Sequence, residues 1–282
     1  MKTILIPTDY SSNARNALYT ALKLFRNQEC RFVLLNTFEP DLINVLGDHG
    51  ERRLGMIYES LEIESRAKME ELLTELSENS VFSNYKFKTK CVPGDLVSEV
   101  KKQVAKGRID LIVMGTKGAT GAERVFMGSH TVRMITHISN RPVLAVPQSY
   151  DFQHLQKAVL PTDFKHYCEP FVIEPLLDLI GLWKAEIHVV YAAKEFGLHP
   201  AQESQKNLLE KQLKTQNTTF AEALLETNVA DAIRDYADIF QADLIALMRH
   251  KHSFLEALTK EKVVKRIAFD TQIPLLILPR QI

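Results

Sequence analysis

Three cysteines in 282 residues, Cys30, Cys91 and Cys168, are too few and too widely spaced for a disulfide scaffold or a cysteine-rich zinc site. They read as small buried hydrophobes, and such usage points to a reducing, cytoplasmic compartment. There is no excess of charge of either sign. Thirty-five basic residues balance thirty-five acidic ones, which argues against a nucleic-acid ligand, because duplex binders carry a clear basic surplus. No apolar run approaches the roughly 18 residues of a membrane span. The opening Met1–Pro7 lacks the long apolar region and small-residue cleavage site of a signal peptide, and reads as a first strand. Eleven glycines and eleven prolines exclude a collagenous or low-complexity chain. The GxxxxGK[ST], HExxH and GxSxG patterns are all missing. No triad order and no dedicated catalytic base stands out, so no residue is assigned a catalytic role.

What is present is a repeat. Ile4-Leu5-Ile6-Pro7-Thr8-Asp9-Tyr10 returns as Ala158-Val159-Leu160-Pro161-Thr162-Asp163-Phe164. Asp110-Leu111-Ile112-Val113-Met114 returns from Asp243 to Met248, and Arg141–Pro147 returns from Ile273 to Pro279. Three matches in one order define a duplicated domain. The boundaries fall at 1–149 and 155–282, joined by the polar stretch around Gln148–Gln156.

Within the first half, short apolar strands alternate with segments of helical period, beginning with Thr3–Pro7 and then Ser11–Phe25. That alternation predicts a parallel sheet covered on both faces and, with right-handed crossovers, an α/β doubly wound domain in each half. Asp41–Met56, with three glycines among charges, is expected to be a surface loop, either functional or a plain insertion. His188, in an apolar strand, reads as a hydrogen-bonded core histidine, and Arg249-His250-Lys251-His252 as a solvated basic loop.

The most informative segment runs from Met114 to Thr131. It leaves the fourth strand and ends where a helix begins. Ligands of doubly wound sheets sit outside the carboxyl ends of the strands, where strand order reverses, and Asp9 and Gly115 both belong there. Gly115, Gly118 and Gly128 would let backbone approach a ligand, with amides of the turn and helix start aimed at a phosphate. Ser129 and Thr131 would add hydroxyl donors, and Lys117 and Arg124 could neutralise phosphate charge or stay solvated. Asp9 would need a cation between itself and a phosphate; a ribose hydroxyl, a metal such as magnesium, or the local backbone are its options.

Gly115-x2-Gly118-x9-Gly128-Ser129 resembles the nucleotide-binding signature of the universal stress protein family. Ile6-Pro7-Thr8-Asp9, Pro93-Gly94-Asp95 and Arg141–Pro147 are similar to that family as well, and the likeness covers the chain as two tandem copies. The resemblance implies five-stranded parallel sheets in order 3-2-1-4-5, with ATP or a related adenine nucleotide, carried with magnesium, at the signature loop. It further implies that Pro7, Thr8, Asp9, Thr37, Met114, Gly115, Lys117, Gly118, Arg124, Gly128, Ser129, His130 and Thr131 build the site, Thr37 meeting the adenine. Pairing through the fifth strand, expected on the same grounds, would make the two halves an intrachain pseudo-dimer. A further homodimer and an unnamed protein partner remain open.

The second half departs from the signature. Arg249 and His252 are read at the places of Gly115 and Gly118, Lys260-Glu261 at Gly128-Ser129, and Glu226-Thr227-Asn228 at Pro93-Gly94-Asp95. The expectation is one nucleotide, in the first half, serving a stress-response regulator. A slow ATP hydrolase or phosphotransferase in the same pocket, and a nucleotide-independent scaffold, are the alternatives. A nicotinamide oxidoreductase fits poorly, because its glycine fingerprint should follow the first strand, where Thr8-Asp9-Tyr10-Ser11-Ser12 stands instead.

Overall fold

The computed structural model describes residues 1–40, 50–79, 82, 85–107, 109–116, 127–193, 197–224, 229–249 and 272–280. The first half runs β1 (Lys2–Pro7), α1 (Ser12–Leu24), β2 (Cys30–Phe38), α2 (Gly50–Glu78), β3 (Lys86–Pro93), α3 (Leu96–Lys106), β4 (Leu111–Gly115), α4 (Ser129–His137) and β5 (Val143–Val146). The second runs β6 (Lys157–Thr162), α5 (Pro170–Trp183), β7 (Glu186–Ala193), α6 (Pro200–Leu213), β8 (Thr218–Leu224), α7 (Val229–Phe240), β9 (Leu244–Arg249) and β10 (Leu275–Arg280).

Each half is a parallel sheet in order 3-2-1-4-5, and the two join through antiparallel pairing of β5 with β10 into one sheet of ten strands. Alternation along each strand sorts side chains to two faces. Ile4 and Ile6 pack beneath α1 and α2, against Leu18, Leu72 and Leu76, while Leu5 turns to the opposite face with Val97, Val100, Met134 and Ile135 of α3 and α4. Both apolar layers continue across the seam into the second half, so neither half ends its core at the junction.

Local chemistry repeats with the strands. Asp110 accepts a hydrogen bond from the Thr3 amide at 2.7 Å, and Asp243 from the Lys157 amide at 3.0 Å. Leu111 is opposite Ile4 in the first half and Leu244 opposite Ala158 in the second. That register corrects one reading of the repeat: Met248, not Arg249, stands at the Gly115 position, and Arg249 matches Thr116. Arg249 is also no solvated loop residue. It ends β9 and is only 8% exposed, because its long side chain finds acceptors inside the protein; His250, Lys251 and His252 lie outside the described residues.

A second correction concerns Asp41–Met56. Gly50–Met56 is the first part of α2, since Glu51-Arg52-Arg53-Leu54 supplies helix formers that carry the helix past Gly55, whose glycine costs about 1 kcal/mol of propensity. Residues 41–49 lie outside the described part. His188 behaves as read, its ring nitrogens 2.7 Å from the Tyr236 hydroxyl and 2.8 Å from Glu186.

Candidate functional site

In order 3-2-1-4-5 the chain crosses from one side of β1 to the other, and the carboxyl ends of β1 and β4 diverge to leave a crevice. A cleft of about 560 Å³ occupies it, well within the range of small-molecule sites. Pro7, Thr8, Asp9, Thr37, Met114, Gly115, Gly128, Ser129, His130 and Thr131 all border it. Lys117, Gly118 and Arg124 lie outside the described residues.

The floor is a strained turn. Tyr10 has φ +63°, a left-handed conformation that a non-glycine residue adopts at a cost. Side chains before it hold it there: Thr8 Oγ1 accepts from the Tyr10 amide at 3.0 Å, and Asp9 Oδ1 from the Ser11 amide at 3.1 Å. Ser11 then caps α1, accepting from the Ala14 amide at 3.2 Å. A polar chain braces the turn from behind. Asn36 donates to the Thr8 carbonyl, Ser65 to Asn36 and the Tyr10 hydroxyl to the Ser65 carbonyl, each at 2.7 Å. Burial raises the Tyr10 hydroxyl above its ordinary pKa, so it stays a donor.

The second half builds the same turn: Phe164 has φ +51°, and Thr162 and Asp163 accept from the Phe164 and Lys165 amides at 3.1 and 3.0 Å. Of the options named for Asp9, the local backbone is one that it uses, and Asp163 does the same in the second half. The Thr-Asp pair is a fold device, present with or without the glycine signature.

The wall is the start of α4. Gly128 is its N-cap, at φ −62° and ψ 158°, and as a glycine it brings no side chain of its own to cap the helix. The helix start borders the cleft, and such a start carries partial positive charge. The Gly128 amide donates to the Thr116 carbonyl at 2.6 Å, so the ends of the intervening segment are held together. Thr131 plays a different part from the one its hydroxyl suggested. It is 2% exposed and donates to the Gly115 carbonyl at 2.9 Å, fastening α4 to β4. Ser129 and His130 are exposed on the helix start.

Gly115 also has an internal reason. A Cβ there would come within 2.7 Å of the Asn13 carboxamide, so its missing side chain makes room for a buried neighbour.

Three charged residues outside the expected site set also border the cleft: Glu39, Arg133, and Asp95 of the Pro93-Gly94-Asp95 turn. Asp95 follows Gly94, whose φ of +114° favours glycine. It caps α3 by accepting from the Ser98 amide at 3.0 Å, and pairs with Arg133 at 2.6 Å. Burial pushes its carboxyl up, but the Ser98 amide and the Arg133 guanidinium outweigh that and hold it below the usual carboxylate range. The spacing of Ser129 and Arg133, four apart on one helix face, was the available signal for the second. Among the described residues no cluster of three or more His, Cys, Asp or Glu side chains could hold a metal, and no helix is long and apolar enough to cross a membrane.

Comparison with known proteins places this geometry. The model of the universal stress protein family matches residues 1–147 and again 154–279. Universal stress protein MJ0577 of Methanocaldococcus jannaschii is 31% identical over 159 residues, spanning 51% of this chain and 94% of the relative. Universal stress protein MJ0531 of the same organism is 30% identical over 145 residues, 51% of this chain and 81% of the relative. The crystal structure of a universal stress protein from Archaeoglobus fulgidus covers 99% of this chain and 96% of its own, with a TM-score of 0.63 at 14% identity. That last likeness is one of fold.

Proposed function

Since the chain belongs to the universal stress protein family, we propose that it is a stress-response regulator whose first half binds ATP or a related adenine nucleotide. The observation that carries the reading is the start of α4, with glycine as its N-cap, opening on the same cleft as Thr37 and the Thr8-Asp9 turn. Phosphates would meet the amides following Gly128 and the Ser129 hydroxyl, an arrangement that suits an anion. The sugar and base would extend toward Thr37 and Glu39, at the carboxyl end of β2. Magnesium would travel with the phosphates.

In sequence, the second half has no glycine between Met248 and Pro274. Met248 stands at the Gly115 register, where a side chain replaces the missing one. One nucleotide per chain is expected. Bound nucleotide stabilises the half that holds it by mass action, and the surface around the cleft would change for a partner. Chemistry is expected to be slow, because Asp9, the acid nearest the turn, is engaged in shaping it. Turnover at or below roughly one per minute is anticipated, against about 10 per second for a typical enzyme.

Calorimetric titration of the whole chain with ATP and Mg²⁺ tests this directly. Ser129→Asp is the informative variant. A carboxylate in the first turn complements the helix dipole yet repels a phosphate, so affinity should fall at least about tenfold while thermal stability holds. Two equivalent sites, or undiminished affinity in that variant, would reject the reading.

A further inference from the structure

Arg249 is a buried cation with carbonyl partners. Its Nε donates to the Leu278 carbonyl at 3.0 Å, and its Nη1 reaches the Ile135 carbonyl in the other half of the chain. Its remaining nitrogen, Nη2, has no hydrogen-bond partner among the described residues. Burial lowers its pKa to about 10, leaving it charged at neutral pH.

Its acceptor gives this burial a purpose. Ile135 lies in the last turn of α4, whose C-cap is Ile138. Carbonyls there have no amide of the helix to accept from and carry the negative end of its dipole. A guanidinium suits that end on both counts, and its fork spans a helix carbonyl and a strand carbonyl together. Just past the helix, the Arg280 amide donates to the Ser139 carbonyl at 2.7 Å, a second hold on the same segment from the second half. The opposite end of α4 is the wall of the cleft. A helix of this length spans about 13 Å and has no internal proline or glycine at which to bend, so its two ends move as one body.

We infer that Arg249 is a positioning residue for the first half's cleft: the second half uses it to hold α4 by the carboxyl end and so to fix the amides at the other end. The inference rests on the nucleotide reading for its functional consequence, but its structural content stands apart. The half without the glycine signature thus acts as a built-in brace for the half that has it. At the equivalent position the first half carries Thr116, too short to return the contact.

The test uses the full chain as Arg249→Gln, Arg249→Lys and Asp178→Asn, the last removing an ion pair between Lys2 and Asp178 across the same junction. Hydrogen exchange without ligand is followed at the Val132 and Arg133 amides, near the start of α4, and ATP affinity by calorimetry with Mg²⁺. In Arg249→Gln, exchange at both amides should quicken about tenfold, and affinity fall about three- to tenfold with stoichiometry unchanged. Arg249→Lys, which keeps the charge but not the fork, should show both changes at smaller size, and Asp178→Asn neither. Wild-type exchange in folded Arg249→Gln overturns the inference, as does an equal effect from Asp178→Asn. Should Arg249→Gln not fold, wild-type exchange and affinity in Arg249→Lys overturn it. If the wild type binds no nucleotide, the functional reading falls, and exchange alone decides the role of Arg249.

Discussion

Gly115 illustrates what a single residue can and cannot reveal from sequence. In a glycine-rich turn it reads as a place kept open for a ligand, and it does border the cleft. Yet the nearest obstacle to a Cβ is Asn13, a buried side chain more than a hundred positions away in the chain. No local pattern could announce that neighbour. Gly115→Ala should therefore destabilise the protein even without nucleotide, by about 1–3 kcal/mol for an overpacked contact. Adding Asn13→Ala should recover part of that loss, and thermal unfolding of the two single variants and the double would show the coupling. Additive effects would mean that the contact is not what keeps Gly115 small. Thr131 teaches the converse: a hydroxyl read as a ligand donor is spent on a strand carbonyl, which depends on the helix's angle to the sheet rather than on its sequence.

Among the elements, strands and the shorter helices were legible because their apolar period is strong, and β1 and α1 fall within a residue of the Thr3–Pro7 and Ser11–Phe25 expected for them. The start of α2 was not, because glycines among charges look the same whether a helix runs through them or a loop does. The cap of α3 is a small element with a measurable consequence. Asp95 accepts from the first turn of α3 and pairs with Arg133 of α4, so one carboxylate fastens two helices beside the cleft. Its folded pKa is depressed, so the stability it contributes is present above the unfolded value of about 3.9 and is lost as pH falls below that toward the folded value. Replacing Asp95 with Ala should cost about 1 kcal/mol at pH 7, and the gap from wild type should shrink in acid below pH ~4. Urea titrations at both pH values would register it; a gap independent of pH would place the effect elsewhere.

For the whole molecule, the repeat made two like domains readable, while the way they join needed the fold. The seam carries more than β5 and β10. Trp183, the single tryptophan, donates to the Leu24 carbonyl at 2.9 Å, packs edge-on to Phe152 and lies 4.9 Å beneath the Arg26 guanidinium. It therefore reports on the junction itself. With both apolar layers continuous across the seam, denaturant should produce coincident transitions in Trp183 fluorescence and far-ultraviolet circular dichroism. A fluorescence change well before loss of helix would show halves that part before they unfold.

Joining the sheets also decides where the molecule can polymerise. Two separate half-sheets would present four open margins to solution; among the described residues the fused sheet keeps two, β3 and β8. β3 reads Lys86-Phe87-Lys88-Thr89-Lys90, and such lysines on an open strand oppose growth of the sheet by further chains. β8 reads Thr218-Thr219-Phe220-Ala221-Glu222, with a single charge in those five residues. Solubility at high concentration thus falls mainly to the β3 lysines. Changing Lys86 and Lys88 to Thr should leave the fold intact yet produce concentration-dependent assembly visible by light scattering, while the wild type at equal concentration stays dispersed.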